Sequence, residues 1–133
     1  MRRAFIRKAL LGAALTSIGL LALAACQPQD APAKAIERYL QAVVAKDADR
    51  AVTSSCAAWE GSARQEVDSF KAVAVTLKDA SCKTTGDDGN VKLVACTGSI
   101  SVTYNNENRS VDLAGKVYRA VQEGGDWRMC GYK

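Results

Sequence analysis

Five cysteines are the residues with the most distinctive chemistry in this sequence of 133 residues. Cys26 ends an apolar N-terminal run, and the remaining four are Cys56, Cys82, Cys96 and Cys130. In an exported chain, four such cysteines predict two disulfide bonds. A zinc site is the competing interpretation, but the spacings contain no Cys-x-x-Cys pair and the chain has no histidine. We therefore expect disulfides, no metal and no other cofactor.

The N-terminal segment has the layout of an export signal that ends at a lipid-attachment site. Four cations precede an apolar run from Ala9 to Ala25. The sequence Leu23-Ala24-Ala25-Cys26 resembles the bacterial lipobox, in which the cysteine thiol is lipidated and the chain is cut before it. We therefore predict a signal peptide in residues 1–25 and a lipidated cysteine with its tether in residues 26–31. A plain signal peptide or an uncleaved anchor is the alternative, and an arginine pair leaves the twin-arginine export route open.

We predict that the mature protein is located at the extracytoplasmic face of the cell membrane or of an outer membrane. The lipid on Cys26 anchors it there. Cleavage at this position also removes the excess of positive charge. Four of the 18 Lys and Arg residues precede Cys26 and none of the 14 Asp and Glu residues does, so 14 cations remain against 14 anions. Binding to a phosphate backbone needs a basic excess. Nucleic acid is therefore excluded as a partner, and an envelope protein or a small apolar ligand is the expected one.

The mature part predicts one domain over residues 32–133 that begins with helices. A helical period starts at Pro32, with an apolar stripe at Ile36, Tyr39, Leu40, Val43 and Val44. Asp47 can cap a second helix that extends to about Ser55. The sequence Ser62-Ala63-Arg64-Gln65 matches a capping box and predicts the start of a third helix, with one face formed by Ala63, Val67, Phe70 and Ala74.

After about Val73 the apolar period changes to two, which is typical of strands. Three turn signals divide this half into strands near residues 73–84, 91–104, 109–122 and 127–132. A change of apolar face in the first strand predicts a bulge near Asp79. The predicted fold is α+β, with N-terminal helices packed on a curved four-stranded antiparallel meander that forms a cone.

The hairpin between the first two strands also suggests how the cysteines pair. Cys82 and Cys96 are equidistant from Gly89 in the turn, so they fall on one face of the hairpin at opposite or diagonal positions. This leaves Cys56 to pair with Cys130. The two other connectivities remain open at this point.

Two short patterns carry a resemblance to a known superfamily. They are Ala35-Ile36-x-x-Tyr39-Leu40 and Lys46-Asp47-Ala48-Asp49-x-Ala51, followed by a helical middle and a strand meander. The order resembles the nuclear-transport-factor-two-like (cystatin-like) superfamily, and within it the small lipoproteins of bacterial envelopes. The resemblance implies a sheet that wraps the first helix and leaves a pocket at one end. Members of the superfamily include isomerases, dehydratases and non-catalytic binding modules, so the resemblance alone does not fix the function.

No residue is predicted to be catalytic. The absence of histidine removes the Asp–His chemistry of some members, and the Asp residues fall mainly at predicted helix starts and turns. Asp68, Asp112 and Arg119 are interpreted as solvent-facing. Large aromatic residues either fill the core or line a pocket. The candidates for a pocket lining are Tyr39, Trp59, Tyr104, Tyr118 and Trp127. We expect a non-catalytic binding module for a protein or small apolar ligand; a small isomerase or dehydratase, or a purely structural lipoprotein, are the alternatives.

Overall fold

The computed structural model describes residues 30–133, so the predicted signal peptide and the lipidation site at Cys26 lie outside the described residues. The described part is α+β, with helices first and an antiparallel sheet second. Its helices are α1 (Ala31–Val44), α2 (Ala48–Thr53) and α3 (Glu60–Ser69); its strands are β1 (Ala74–Asp88), β2 (Val91–Tyr104), β3 (Glu107–Asp112), β4 (Val117–Glu123) and β5 (Asp126–Tyr132). None of the helices in residues 30–133 has the length and apolar character needed to cross a bilayer.

Helix α1 follows the predicted periodicity. The carboxylate of Asp30 accepts a hydrogen bond from the Ala33 amide at 3.3 Å, and Pro32 occupies the first turn, where its missing N–H costs nothing. The apolar stripe is buried, including Ile36 and Tyr39, which are both fully inaccessible to solvent. This stripe packs α1 against the sheet and supplies the centre of the core.

Helix α3 begins earlier than the capping box predicted. A 3-10 turn at Ala57–Trp59 leads directly into Glu60, so Ser62 lies inside the helix and does not cap it. The Ala57 amide donates to the carboxylate of Glu123 at 3.1 Å, a contact 66 residues away in sequence. Because this long-range contact fixes the turn, the helix starts about one turn before the local signal. The apolar face of α3 is also shorter than the sequence predicted, since Ala74, its expected last residue, is the first residue of β1.

The sheet has five antiparallel strands, not the four that the turn signals predicted. The expected third strand over residues 109–122 is interrupted by a 3-10 turn at Leu113–Gly115. Asp112 caps this turn by accepting from the Ala114 amide at 2.8 Å, and Leu113 turns into the core, where it is 2% exposed. The strand order is β1-β2-β4-β5, and β3 pairs with the far half of β2. The two short strands β3 and β4 therefore pair one after the other along the same edge of β2.

The bulge expected near Asp79 is present. The β1–β2 register shifts between Lys78 and Ser81, and Asp79 has a φ of 51°. Opposite the bulge, Gly98 has a φ of +95°, and a Cβ at this position would lie 2.5 Å from the carbonyl oxygens of Lys78 and Asp79. Glycine is therefore required here both for the backbone conformation and for space.

We expect Gly98→Ala to lower the free energy of unfolding by about 3 kcal/mol, because it adds a steric clash with rigid backbone to an unfavourable positive φ. The matched control is Gly61→Ala in α3, where nothing lies within 4 Å of the added methyl group. Alanine in a helix is more favourable than glycine by up to about 1 kcal/mol, so this control should unfold at the same or a higher urea concentration. Equal destabilisation by the two variants would contradict the packing described at Gly98.

Two carboxylates of α1 and its cap cover the outer edge of β1. Asp30 accepts from the Thr84 amide at 2.7 Å and from the Thr84 hydroxyl at 2.5 Å, and Glu37 accepts from the Cys82 amide at 3.0 Å. Burial opposes ionisation of both groups. Hydrogen bonds outweigh it, from Thr84 to Asp30 and from Lys34 and Cys82 to Glu37, and hold the pKa of both carboxyl groups below their usual values. The side chains therefore satisfy edge amides that would otherwise be free to pair with another strand.

The disulfides join Cys82 to Cys96 and Cys56 to Cys130, which confirms the predicted connectivity. Cys82 and Cys96 are directly opposite in the β1–β2 register. Next to the second disulfide, the Cys56 amide donates to the Met129 carbonyl at 2.8 Å, and the Met129 amide donates to the Ser54 carbonyl at 2.9 Å. The segment after α2 is thus paired with β5 and held there by a covalent bond.

Candidate functional site

A partly enclosed cavity of about 190 Å³ lies between the C-terminal halves of α1 and α3 and the sheet face that packs on α1. Its surface is more apolar than polar, and two carboxylates and an ammonium group are among its polar groups. The apolar lining is Leu40, Val43, Phe70, Ile100, Val111 and Leu113; the other groups are Glu66, Ser69, Asp112, Lys116, Tyr118 and Tyr132. An apolar concave site with a few polar groups is the usual form of a ligand pocket.

The carboxylate of Glu66 is the centre of a hydrogen-bonded cluster in the cavity wall. The Tyr39 hydroxyl donates to Glu66 Oε2 at 2.7 Å, and the Tyr132 hydroxyl lies 2.9 Å from Oε1 and 3.1 Å from Oε2. Behind them, Trp59 Nε1 donates to the Tyr39 oxygen at 3.3 Å. A carboxylate has about four acceptor positions, so Glu66 keeps at least one for another donor.

A second bulge brings Tyr132 to Glu66. Tyr118 is paired with Tyr132 and Ala120 with Met129, so β5 contains one more residue than β4 over this stretch. Gly131 lies in the bulge with a φ of +104°, and an added Cβ would be 3.2 Å from the Trp59 ring. The Tyr132 ring packs edge-on against Trp59 and Tyr118, with centroid distances of 5.5 Å and 5.3 Å. The bulge therefore aims the phenol across the aromatic cluster towards α3.

The tyrosines of this cluster are held in their neutral form. Burial raises the pKa of Tyr118 to about 12, and the nearby charge of Glu66 adds to the effect. Burial is also the main reason why the pKa values of Tyr39 and Tyr132 are raised. Their hydrogen bonds with Glu66 and the charge of its carboxylate raise both pKa values further. At the cavity edge, Lys116 Nζ lies 4.5 Å from the centre of the Tyr132 ring, within the range of a cation–π contact.

We expect Tyr39, Tyr118 and Tyr132 to resist ionisation until the fold itself fails. A pKa that is raised in the folded state adds stability that is complete below the unfolded value of about 10. This stability is lost as the pH rises through the folded values, so the free energy of unfolding should fall steeply above pH 10. Tyrosinate absorbance followed together with circular dichroism checks this. Ionisation of all three phenols near pH 10 with the fold intact would contradict the cluster.

The predicted pocket residues do not all meet at this cavity. Tyr118 lines it, whereas Tyr39 and Trp59 lie behind Glu66 and position its carboxylate. Tyr104 is 57% exposed at the end of β2. Trp127 is half-buried near the opposite end of the sheet, where it lines a separate shallow depression with residues of both adjacent hairpins.

Sequence reasoning did not single out Glu66, although a signal was present. Glu66 completes an i, i+3, i+4, i+7 pattern with Ala63, Val67 and Phe70, so the helical period places a carboxylate on the packed face of α3. A charged residue at such a position needs partners. In contrast, the carboxylate of Asp68, the next acidic residue, is 57% exposed and pairs with Lys71.

The other polar residues considered from the sequence have structural contacts. Asp47 caps α2 by accepting from the Arg50 amide at 3.0 Å, and Arg119 lies 3.7 Å from the carboxylate of Asp88. Within residues 30–133 no group of three or more cysteine or acidic side chains is placed to hold a metal ion. The chemistry available at the cavity is therefore apolar contact, hydrogen bonding at the carboxylates of Glu66 and Asp112, and charge at Lys116.

Comparison with known proteins does not assign the chain to a family. Neither the models of protein families nor the curated proteins contain a match to this sequence. The geometry of the cavity and the N-terminal sequence are therefore the basis for a functional proposal.

Proposed function

We propose that this chain is a lipid-anchored protein of the bacterial envelope whose domain binds a small, mostly apolar ligand in the cavity beside Glu66 and does not transform it. The observation that carries the binding proposal is the partly enclosed, largely apolar cavity with the hydrogen-bonded carboxylate of Glu66 in its wall. The anchor rests on the lipobox-like sequence that ends at Cys26.

The size and lining of the cavity favour a ligand with a single ring. An apolar cavity of about 150 Å³ is known to hold benzene, and the one described here is about 190 Å³. Glu66 still has an acceptor position, and a hydrogen bond to a charged acceptor is stronger than one to a neutral group. A ring that carries a hydroxyl or N–H donor therefore fits better than an unsubstituted hydrocarbon ring.

The arrangement of the cluster favours binding over proton transfer. In isomerase chemistry a carboxylate base faces the substrate from one side while phenol donors hold it from the other. Here both phenols donate to the same carboxylate, so base and donors form one closed group on one wall. No substrate position therefore lies between Glu66 and these two donors.

The proposal includes a cone of the nuclear-transport-factor-two-like type. Three features support it: helices precede the antiparallel strands, the buried stripe of α1 lies along one sheet face, and the cavity is near the C-terminal end of α1. In such a cone the first helix fills most of the interior and the remaining space forms the ligand site.

The test uses soluble residues 27–133 with intact disulfides and a library of small ring compounds. A ligand present at about 100 times its Kd adds about 2.7 kcal/mol of stability, which is visible as a rise in Tm. We expect stabilising compounds that are recovered unchanged. Saturable consumption of a compound that Glu66→Gln abolishes and Asp68→Asn preserves would overturn the proposal in favour of an enzyme. The absence of any stabilising compound would favour a structural role.

A further inference from the structure

Asp30 fixes the point at which the tether enters the folded domain. Its carboxylate accepts hydrogen bonds from the amide and the hydroxyl of Thr84. These bonds join the start of α1 to β1 a few residues before the turn of the β1–β2 hairpin. Cys26 precedes Asp30 by only four residues, which span at most about 14 Å when fully extended. A lipid on Cys26 therefore has to lie close to this end of the sheet.

Both hairpin tips lie at that same end. Strand β2 starts at Val91 beside β4, with Lys92 opposite Ala120, and β4 then continues to Glu123 before it turns. The turns at residues 89–90 and 124–125 are therefore neighbours. One shallow depression joins them, lined by Gly89, Asn90, Lys92, Val121, Gln122 and Trp127. We call the two turns and this depression the hairpin end.

We infer that the hairpin end is the membrane-facing surface of the domain and that Trp127 lies at the lipid interface. This inference rests on the proposed lipidation of Cys26. Indole rings are favoured at membrane–water interfaces, and the Trp127 ring is half-exposed at this end. Two of the cations at this end have acidic partners, since Lys92 pairs with Asp87 and Arg119 faces Asp88. The short tether, and not net charge, therefore sets the orientation.

The same geometry places the cavity away from the bilayer. From Asp30 to Leu40, α1 advances about 15 Å, and β5 advances about 17 Å from Trp127 to Tyr132. Both elements thus lead from the hairpin end to the cavity wall. A ligand reaches Glu66 from the aqueous phase, which suits a small ring with a polar donor and excludes an acyl chain still embedded in the bilayer.

The test uses the acylated mature protein in vesicles of phosphatidylethanolamine and phosphatidylglycerol with brominated acyl chains, which quench nearby indoles. The chain has two tryptophans, so Trp59→Phe leaves only Trp127 and Trp127→Phe leaves only Trp59. We expect Trp127 to lose most of its emission and Trp59 to keep nearly all of it. A flexible insertion of about ten residues before Asp30 adds about 34 Å of reach and should remove most of the quenching of Trp127.

The outcomes separate this inference from the lipid anchor. The mass of the mature protein reports acylation independently of fluorescence. Acylated protein with equal quenching of the two tryptophans, with none, or with unchanged quenching after the insertion overturns the orientation but leaves the proposed function standing. A chain without acyl groups overturns both. Should Trp59→Phe not fold, fluorine NMR of the native protein containing 5-fluorotryptophan gives the same comparison, because paramagnetic lipid headgroups should broaden the Trp127 signal alone.

Discussion

Replacing Cys26 with alanine should prevent lipidation, leave the chain at precursor size or misprocessed, and remove its stable attachment to the membrane. The thiol is the proposed lipid acceptor, and two or more acyl chains anchor a protein stably where a single chain does not. Metabolic labelling with palmitate and fractionation of the envelope measure both effects.

The matched control for this experiment is Gln27→Ala, which changes the next residue and leaves the thiol in place. The control should keep the label and stay in the membrane fraction. Label retained by Cys26→Ala would show that the lipid is attached elsewhere, and absence of label from the unmodified chain would show an ordinary signal peptide or an uncleaved anchor. Loss of label in both variants would point to failed export and not to loss of the acceptor.

Removal of the Cys56–Cys130 disulfide should have the largest effect on stability of any change within residues 30–133 considered above. This bond closes a chain segment with a sequence separation of 74 residues, and its loss should cost about 4 kcal/mol by the chain-entropy estimate. It also clamps the segment after α2 onto β5, next to the Trp59 and Gly131 contact behind the cavity. Urea denaturation of residues 27–133 carrying Cys56→Ala and Cys130→Ala measures the loss.

The comparison variant removes the other disulfide through Cys82→Ala and Cys96→Ala. This bond closes a separation of only 14 residues, so its loss should cost about 3 kcal/mol. Neither Cys82 nor Cys96 lines the cavity, so loss of this disulfide should leave ligand binding intact. A larger loss of stability in this variant than in the Cys56–Cys130 variant, or a loss of ligand affinity in it, would contradict these expectations.

The features that could be predicted from the sequence are those set by short-range patterns. The buried stripe of α1, the Asp47 cap and the bulge at Asp79 each follow from residues a few positions apart. The Cys82–Cys96 pairing follows from the register of a single hairpin. In each case the local pattern and the folded environment favour the same conformation.

The features that could not be predicted depend on contacts between distant residues. The start of α3 is fixed by Glu123, and the break after β3 exists because Leu113 fills a place in the core. The cluster at Glu66 joins α1, α3 and β5, and Tyr132 reaches it only through the bulge at Gly131. Aromatic composition identified candidates for the pocket, but it could not show which of them face Glu66.

The most direct measurement of the binding claim is a methyl NMR titration of residues 27–133 with p-cresol, a single ring that carries one hydroxyl donor. We expect saturable shifts centred on the cavity methyl groups of Leu40, Val43, Ile100 and Leu113. Ser69→Trp places a ring at the cavity mouth and should abolish these shifts, whereas Asp68→Trp, one residue away with its side chain in solvent, should preserve them. Shifts that survive Ser69→Trp, or that rise linearly and spread over the surface, would contradict the assignment of this cavity as the ligand site.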